Sequence, residues 1–160
     1  IKGALKGLKL CYVGDGNNMA NSLIVGGIKS GMSVSIACPS GYEPDERISE
    51  WAEKSGRYLC SESIEEAVSG ADVVYTDVWA SMGMEDEAKE RAQIFKNYCV
   101  NAETMSYASK DAIVLHCLPA HRGEEISAEV LEAHAGEIFE EAENRLHAQK
   151  AVMAMCMGAK

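Results

Sequence analysis

The sequence places an imidazole and a thiol side by side at His116-Cys117, directly after the apolar residues 113–115. The apolar run predicts a short buried strand, and Pro119 prevents the strand ladder from continuing. A thiol near an imidazole is the arrangement found in Cys–His hydrolases. Adjacent residues on an extended strand point to opposite faces, however, so His116 is not placed to act as the base for Cys117. His121 is another candidate base without support in the sequence, and two ordinary buried side chains are the simplest alternative.

A second reactive group is the carboxylate of Asp77, which ends the apolar segment 73–76. The residues that follow, 77–84, contain a tryptophan, two methionines and a hydroxyl group, and they include Ser81 and Met82. Loops that combine bulky apolar side chains with a carboxylate often bind ligands or close over them. We therefore predict a binding loop or lid here, with capping or a salt bridge as the alternative role of Asp77.

Gly14-Asp15-Gly16 follows the first strand-like segment and invites comparison with the dinucleotide-binding turn G-x-G-x-x-G. Met19 replaces the third glycine of that motif, and Cys38 stands where an acidic residue is expected after the second strand. Both departures argue against nucleotide binding. Of the pair Asn17-Asn18, one asparagine is expected to cap the next helix and the other to offer its amide to a ligand.

Two further charged groups are predicted to lie on helices. A final helix is predicted over residues 143–157, which places Arg145 near its start. Because a cation is unfavourable at that end of the helix dipole, the charge of Arg145 is a candidate for ligand binding. A polar helix is predicted over residues 85–96, where the pairs Glu85–Lys89 and Glu87–Arg91 have the spacing of a solvated face.

The elements that must position these groups alternate in type along the chain. Strand-like segments alternate with helical ones, which is the pattern of βαβ units around a parallel sheet. We therefore predict an α/β fold, a three-layer α/β/α Rossmann-like domain with a mainly parallel sheet of about five strands. Right-handed crossovers bring the carboxyl ends of the strands to one edge, where Asn17-Asn18, Asp77, His116-Cys117 and residues 143–145 are expected to converge.

Composition narrows the class of protein. The 160 residues, 47% of them hydrophobic and 25% charged, suit one globular domain with a core. A net charge of −10 argues against binding to nucleic acid. No apolar run approaches the roughly 20 residues needed to cross a membrane, and no signal peptide opens the chain. The six cysteines form no C-x-x-C pair or metal-like cluster, so we expect a reduced, cytoplasmic protein without a metal or cofactor.

Four motifs, in this order along the chain, resemble those of ornithine carbamoyltransferases. They are Gly14-Asp15-x-Asn17-Asn18, Asp77-x-Trp79-x-Ser81-Met82-Gly83, His116-Cys117-Leu118-Pro119 and Ala142-Glu143-Asn144-Arg145. The resemblance covers essentially the whole chain and corresponds to the carboxyl-terminal, ornithine-binding half of these enzymes. Residues 1–160 are therefore expected to form that single domain.

The resemblance also implies that an amino-terminal half is missing. The family's Ser-x-Arg-Thr and His-Pro-x-Gln segments, which belong to its carbamoyl-phosphate-binding amino-terminal domain, are absent from this chain, and the chain begins at Ile1 without a methionine. We expect a fragment or processed product that folds but is inactive alone. The resemblance further implies that the full-length enzyme is a homotrimer or a multiple of trimers.

The implied reaction transfers a carbamoyl group from carbamoyl phosphate to the side-chain amine of L-ornithine. Its products are L-citrulline and phosphate, in arginine biosynthesis or in the arginine deiminase pathway. The resemblance implies these substrate contacts: ornithine with Asn18, Asp77, Ser81 and Met82, carbamoyl phosphate with Cys117 and Leu118, and its carbonyl or phosphate oxygen with Arg145. His116 is expected either to bind the carbonyl group or to orient the turn.

Asp77, Cys117 and Arg145 are the expected catalytic residues. The ornithine amine has a pKa of about 10 and arrives protonated. Asp77 and a Cys117 thiolate are expected to hold and orient it while its proton leaves. Arg145 is expected to stabilise the charge of the tetrahedral oxyanion.

Alternatives to ornithine carbamoyl transfer stay open from the sequence. The related aspartate enzyme has proline at the position of Cys117, whereas cysteine alone also fits a carbamoyltransferase for putrescine. The loop 81–83 favours ornithine. A nicotinamide-binding domain and a non-catalytic Rossmann-like binding domain are alternatives from other classes.

One surface is expected to be unpartnered in this chain. In the family, the last helix packs against the amino-terminal domain. Its apolar side chains are therefore expected to be exposed here and prone to self-association. They are Leu146, Val152, Met153, Cys156 and Met157.

Overall fold

Five strands form one parallel sheet in the computed structural model, which describes residues 1–80 and 87–158. The strands are β1 (Lys9–Val13), β2 (Ser33–Ala37), β3 (Tyr58–Ser61), β4 (Val73–Thr76) and β5 (Ile113–His116). Their spatial order is β3-β2-β1-β4-β5, and each neighbouring pair is parallel. The chain therefore reverses its direction of travel across the sheet between β1 and β4, which is where ligands bind in open α/β sheets.

Seven helices cover the sheet in the described part of the chain. They are α1 (Asn18–Lys29), α2 (Glu46–Glu53), α3 (Ile64–Val68), α4 (Ala88–Ile94), α5 (Ala102–Ser106), α6 (Ala128–Ala133) and α7 (Ala135–Cys156).

Two hydrophobic clusters lie on opposite faces of the sheet. Alternate residues of β1 divide between them: Tyr12 packs with Ile24 of α1, while Val13 packs with Val68 of α3. This alternation is what a strand buried on both faces requires. The predicted three-layer α/β/α Rossmann-like fold with a five-stranded parallel sheet is confirmed.

Side-chain caps start several helices where the sequence predicts them. The carboxylate of Asp45 accepts a hydrogen bond from the Arg47 amide at the start of α2, and the Ser127 hydroxyl accepts one from the Val130 amide at the start of α6. Asn17 is the capping member of the asparagine pair, since its Oδ1 accepts from the Met19 amide at 2.8 Å. These bonds satisfy amide groups that would otherwise lack partners at a helix start.

The last helix differs from its prediction. It begins at Ala135, well before Glu143, because Ile138 is buried in the core and no proline interrupts residues 135–143. Arg145 consequently lies inside α7, and the helix-dipole argument for its role is wrong. The expected apolar stripe does lie exposed on the carboxyl-terminal half of α7 and its cap, since Leu146 is 58% accessible and the cap residue Met157 is 84% accessible. Across residues 1–80 and 87–158, every helix is too short or too polar to cross a membrane.

Candidate active site

A cavity of about 710 Å³ opens at the carboxyl edge of the sheet. It lies beyond β1 and β4, the strands that flank the reversal point, and beyond the neighbouring β5. Five of the predicted site residues line it: Asn18, Asp77, Cys117, Leu118 and Arg145. The convergence expected from the order of the elements is therefore observed for these residues.

Asp77 and Cys117 are hydrogen-bonded to each other across two neighbouring strands. The Cys117 thiol donates to Asp77 Oδ1 with a distance of 3.0 Å between sulfur and oxygen. Burial, together with the hydrogen bond and the negative charge of Asp77, raises the pKa of Cys117 to about 12. The thiol is therefore protonated at neutral pH in this structure. The thiolate that the sequence analysis expects beside a bound ornithine amine stays a prediction.

His116 is fully buried and serves the turn beside the cavity. Its Nδ1 accepts a hydrogen bond from the Leu118 amide at 2.9 Å. The hydrogen of the neutral ring therefore lies on Nε2, which is 3.1 Å from Glu125 Oε1 and donates to it. Both ring nitrogens are thus occupied away from Cys117, which agrees with the argument that His116 cannot be its base.

Leu118 needs this support because its backbone is in an unfavourable region. Its φ is +54°, the left-handed conformation that non-glycine residues rarely adopt. The hydrogen bond from its amide to His116 holds the residue there, so that Leu118 lines the cavity beside Cys117. This observation favours the turn-orienting role over the carbonyl-binding role of His116.

Arg145 reaches the same turn from α7. Its Nη1 donates to the carbonyl oxygen of Cys117 at 2.9 Å, while the residue remains exposed. A guanidinium group fixed by one bond still has donors free for a ligand oxygen. His121, the other candidate base, has an imidazole 54% exposed, with Nδ1 3.7 Å from Glu124. Its ring therefore lies at the rim of the cavity, beside this carboxylate.

The glycine-rich turn after β1 is explained by packing. A side chain at Gly16 would come within 2.3 Å of the Glu43 and Pro44 backbone, and the Gly16 amide donates to the Tyr42 carbonyl at 2.8 Å. Only glycine permits this approach. Asn18, next to the Asn17 cap, is left to line the cavity.

The predictions for the loop after Asp77 and for the solvated face of the polar helix that follows it were not confirmed. Ser81, Met82 and Glu85, which is the predicted partner of Lys89, lie outside the described residues. The expectation of a solvated face at Glu87–Arg91 is wrong for Arg91, which is buried and whose Nη1 lies 2.7 Å from Asp15 Oδ2. Ion pairs at i,i+4 look the same in sequence on a buried face as on an exposed one.

Sequence reasoning also missed two carboxylates that brace the site. Glu125 is fully buried and accepts from the His121 amide as well as from His116. Glu141, on α7, accepts from the His116 amide at 2.9 Å and from the Tyr75 hydroxyl. A glutamate on a helix or turn carries no sequence signal that separates such a role from a solvated one.

Asp77, His116 and Cys117 also have the atom types of a metal site, with one potential ligand atom each within 4.8 Å of the others. Both nitrogens of His116 are already hydrogen-bonded, however. A metal would need one of these lone pairs, so the geometry fits a polar binding site better than a metal centre.

Comparisons with known proteins agree with this geometry. Residues 6–156 match the family model for the aspartate/ornithine carbamoyltransferase Asp/Orn-binding domain. The ornithine carbamoyltransferase of Carboxydothermus hydrogenoformans is 53% identical over 162 residues, which are 98% of this chain and 52% of that protein. The chain spans about half the length of the curated relatives it matches.

Solved structures show the same correspondence. The structure of the ornithine carbamoyltransferase from Pyrococcus furiosus is 49% identical with a TM-score of 0.91, and the match covers 99% of this chain and 52% of that one. The structure from Gloeobacter violaceus is 50% identical with a TM-score of 0.83, covering 96% and 52%.

Proposed function

We propose, because the chain belongs to the aspartate/ornithine carbamoyltransferase family and matches its Asp/Orn-binding domain, that it supplies the ornithine half of the active site of an ornithine carbamoyltransferase. The observation that carries the proposal is the hydrogen-bonded pair Asp77 and Cys117, which faces a cavity shared with Asn18 and Arg145. Ornithine is the proposed acceptor because the matched curated relatives are named ornithine carbamoyltransferases.

In the proposed reaction, the side-chain nitrogen of ornithine attacks the carbonyl carbon of carbamoyl phosphate. A carbon–nitrogen bond forms, the bond from carbon to the phosphate oxygen breaks, and the electron pair leaves with phosphate. The phosphate takes up the proton that the nitrogen loses after attack. The nitrogen must first lose a proton, because the amine is protonated near neutral pH, with a pKa of about 10.

Asp77 and Cys117 fit the task of receiving this amine. Asp77 is mostly buried, and its carboxylate supplies the negative charge that an ammonium group requires. The thiol is protonated in this structure. A bound cation favours the thiolate of a neighbouring cysteine, so the thiol can release its proton to solvent as ornithine arrives. The thiolate then takes up the proton of the ammonium group, which frees the nitrogen for attack. Arg145 then stabilises the oxygen that gains charge as the nitrogen attacks.

The remaining substrate and subunit assignments follow from the family resemblance. Ser81 and Met82 are proposed to contact ornithine, and Leu118 with Cys117 to lie against carbamoyl phosphate. The rest of the carbamoyl phosphate site is assigned to an amino-terminal half, in a homotrimer or a multiple of trimers in the cytoplasm. The relative from Pyrococcus furiosus is named an anabolic ornithine carbamoyltransferase, which favours arginine biosynthesis as the pathway.

The test is a chimera in which residues 1–160 follow the amino-terminal half of the Gloeobacter violaceus enzyme. Its purified assembly is given carbamoyl phosphate with L-ornithine, putrescine or L-aspartate, and the carbamoylated product is measured. We expect ornithine to be used at least roughly a hundredfold better, as kcat/KM, than either other amine, because buried polar groups reject ligands that leave them unpaired. A preference for putrescine would show that putrescine, not ornithine, is the acceptor. Failure of an assembled chimera to form any carbamoylated product would contradict the proposal.

A further inference from the structure

Arg91 is a buried cation that none of the proposed catalytic steps uses. It lies on α4, and its residue accessibility is 9%. Nη1 donates to Asp15 Oδ2 at 2.7 Å and to the carbonyl oxygen of Trp79 at 3.0 Å, while Nε donates to Glu87 Oε2 at 3.1 Å. Three acceptors on one guanidinium group make this a specific arrangement, since a buried cation is costly unless it is well paired.

The first two acceptors belong to two different loops, each of which contributes residues to the cavity. Asp15 lies in the turn between β1 and α1, three residues before Asn18. Trp79 follows Asp77 by two residues, after the end of β4. One guanidinium group therefore joins the two loops that present Asn18 and Asp77 to the cavity.

Aromatic packing fixes the position of this guanidinium. Its central carbon lies 5.3 Å from the centre of the Tyr42 ring, which is a cation–π distance. Trp79 stacks on Phe95, which directly follows α4, with 6.0 Å between the ring centres. The planar fork of arginine is suited to bonding a carboxylate and a carbonyl while lying against a ring, and lysine is not.

The Asp15 carboxylate depends on this partner. Its side chain is 15% accessible, and burial raises its pKa above the ordinary value, while the contact with Arg91 acts in the opposite direction. Removal of Arg91 leaves a desolvated carboxylate without its cation. The turn and the Asp77 loop then lose the bond that holds them together.

We propose that Arg91 is a positioning residue for the part of the active site that binds ornithine. It holds Asn18 and Asp77 at a fixed separation and makes no contact of its own with the substrate. The inference rests on the proposed function, because it assigns these two residues to ornithine. Loss of Arg91 should therefore weaken ornithine binding while leaving the turn around Cys117 and Leu118 intact.

The experiment compares Arg91→Met with Arg47→Met in the chimera described above. Arg47 is the matched control, because its side chain is 90% exposed and pairs only with Asp45 in the described residues. We expect Arg91→Met to raise the KM for ornithine at least roughly tenfold and to change the KM for carbamoyl phosphate less than about twofold, the signature of lost binding to one substrate. Arg47→Met should leave both values unchanged.

Asp15→Asn is the second variant, since it keeps the shape of the side chain and removes only the charge. Like Arg91→Met, it should raise the KM for ornithine more than the KM for carbamoyl phosphate, but by a smaller factor. This variant keeps the proposal testable even if Arg91→Met fails to fold. An unchanged KM for ornithine in a folded variant, or equal increases for both substrates, would overturn the assignment of Arg91. A wild-type chimera without activity contradicts the proposed function instead, so the two failures are distinguishable.

Discussion

The thiol of Cys117 donates a hydrogen bond to the carboxylate of Asp77, 3.0 Å away on the neighbouring strand end. This contact joins two groups of the site that could bind a cation. Burial, together with this contact, raises the pKa of the thiol to about 12 and keeps it protonated. The site is therefore held in a state that an incoming ammonium group would change, because that charge would favour the thiolate. The hydrogen-bonded pair is better suited to orienting an amine than to nucleophilic attack by the cysteine.

Replacement of Cys117 tests whether the thiol acts on the amine. We expect Cys117→Ser in the active chimera to lower kcat at least roughly tenfold, because serine can donate to Asp77 but does not form an anion. The KM for carbamoyl phosphate should change much less. Steady-state kinetics with each substrate varied in turn measure both quantities, and an unchanged turnover would exclude the role given to the thiol.

Thiol reactivity tests the assigned pKa values. Cys60 is exposed, and its contact with Cys38, 3.7 Å between sulfurs, lowers the pKa of Cys60 to about 7. Since only thiolates react readily, iodoacetamide at pH 7.5 should modify Cys60 first and leave Cys117 largely unmodified. As the pH rises, labelling of Cys60 should level off above pH 8, whereas that of Cys117 should still be increasing there, since its pKa is raised.

Peptide mass spectrometry at several pH values follows the labelling of both cysteines. The signal of labelled Cys60 is identified by its absence from the Cys60→Ser variant. Labelling of Cys117 at neutral pH as fast as that of Cys60 would show that Cys117 is not held as a thiol.

Removal of Glu125 tests the support beneath the Leu118 turn. Glu125→Ala leaves the buried Nε2 hydrogen of His116 without an acceptor, and we expect a loss of about 1–3 kcal/mol in the free energy of unfolding. Urea denaturation of the 160-residue chain measures it. Glu124→Ala is the matched control, because that side chain is 53% exposed and should change stability by less than about 0.5 kcal/mol. Equal effects of the two substitutions would contradict the bracing role.

The sheet and the edge that carries the site could be predicted from the sequence, because both depend on local patterns. Apolar runs mark the five strands, and the polar residues directly after them, such as Asp77 and Cys117, had to meet at one edge once the strands were parallel. The Asn17 cap followed from a similarly local rule.

The groups that brace the site could not be found in this way. Arg91 and Glu125 are charged residues whose burial depends on partners far away in sequence or on the path of a turn. The protonation state of Cys117 could not be predicted from the sequence either, because its pKa depends on desolvation and on the distance to Asp77. The position of Arg145 within α7 was predicted wrongly because burial of Ile138 extends the helix back to Ala135. The local sequence pattern around residue 143 gives no sign of that burial.

The most direct measurement is citrulline formation by the chimera with ornithine, compared with its Asp77→Asn/Cys117→Ala variant. If this chain supplies the ornithine half of the site, the assembled wild-type chimera forms citrulline and the variant is slower by at least roughly a hundredfold, because the groups that receive the amine are lost. Equal rates for the two assemblies, or no citrulline from the correctly assembled wild-type chimera, would contradict the account.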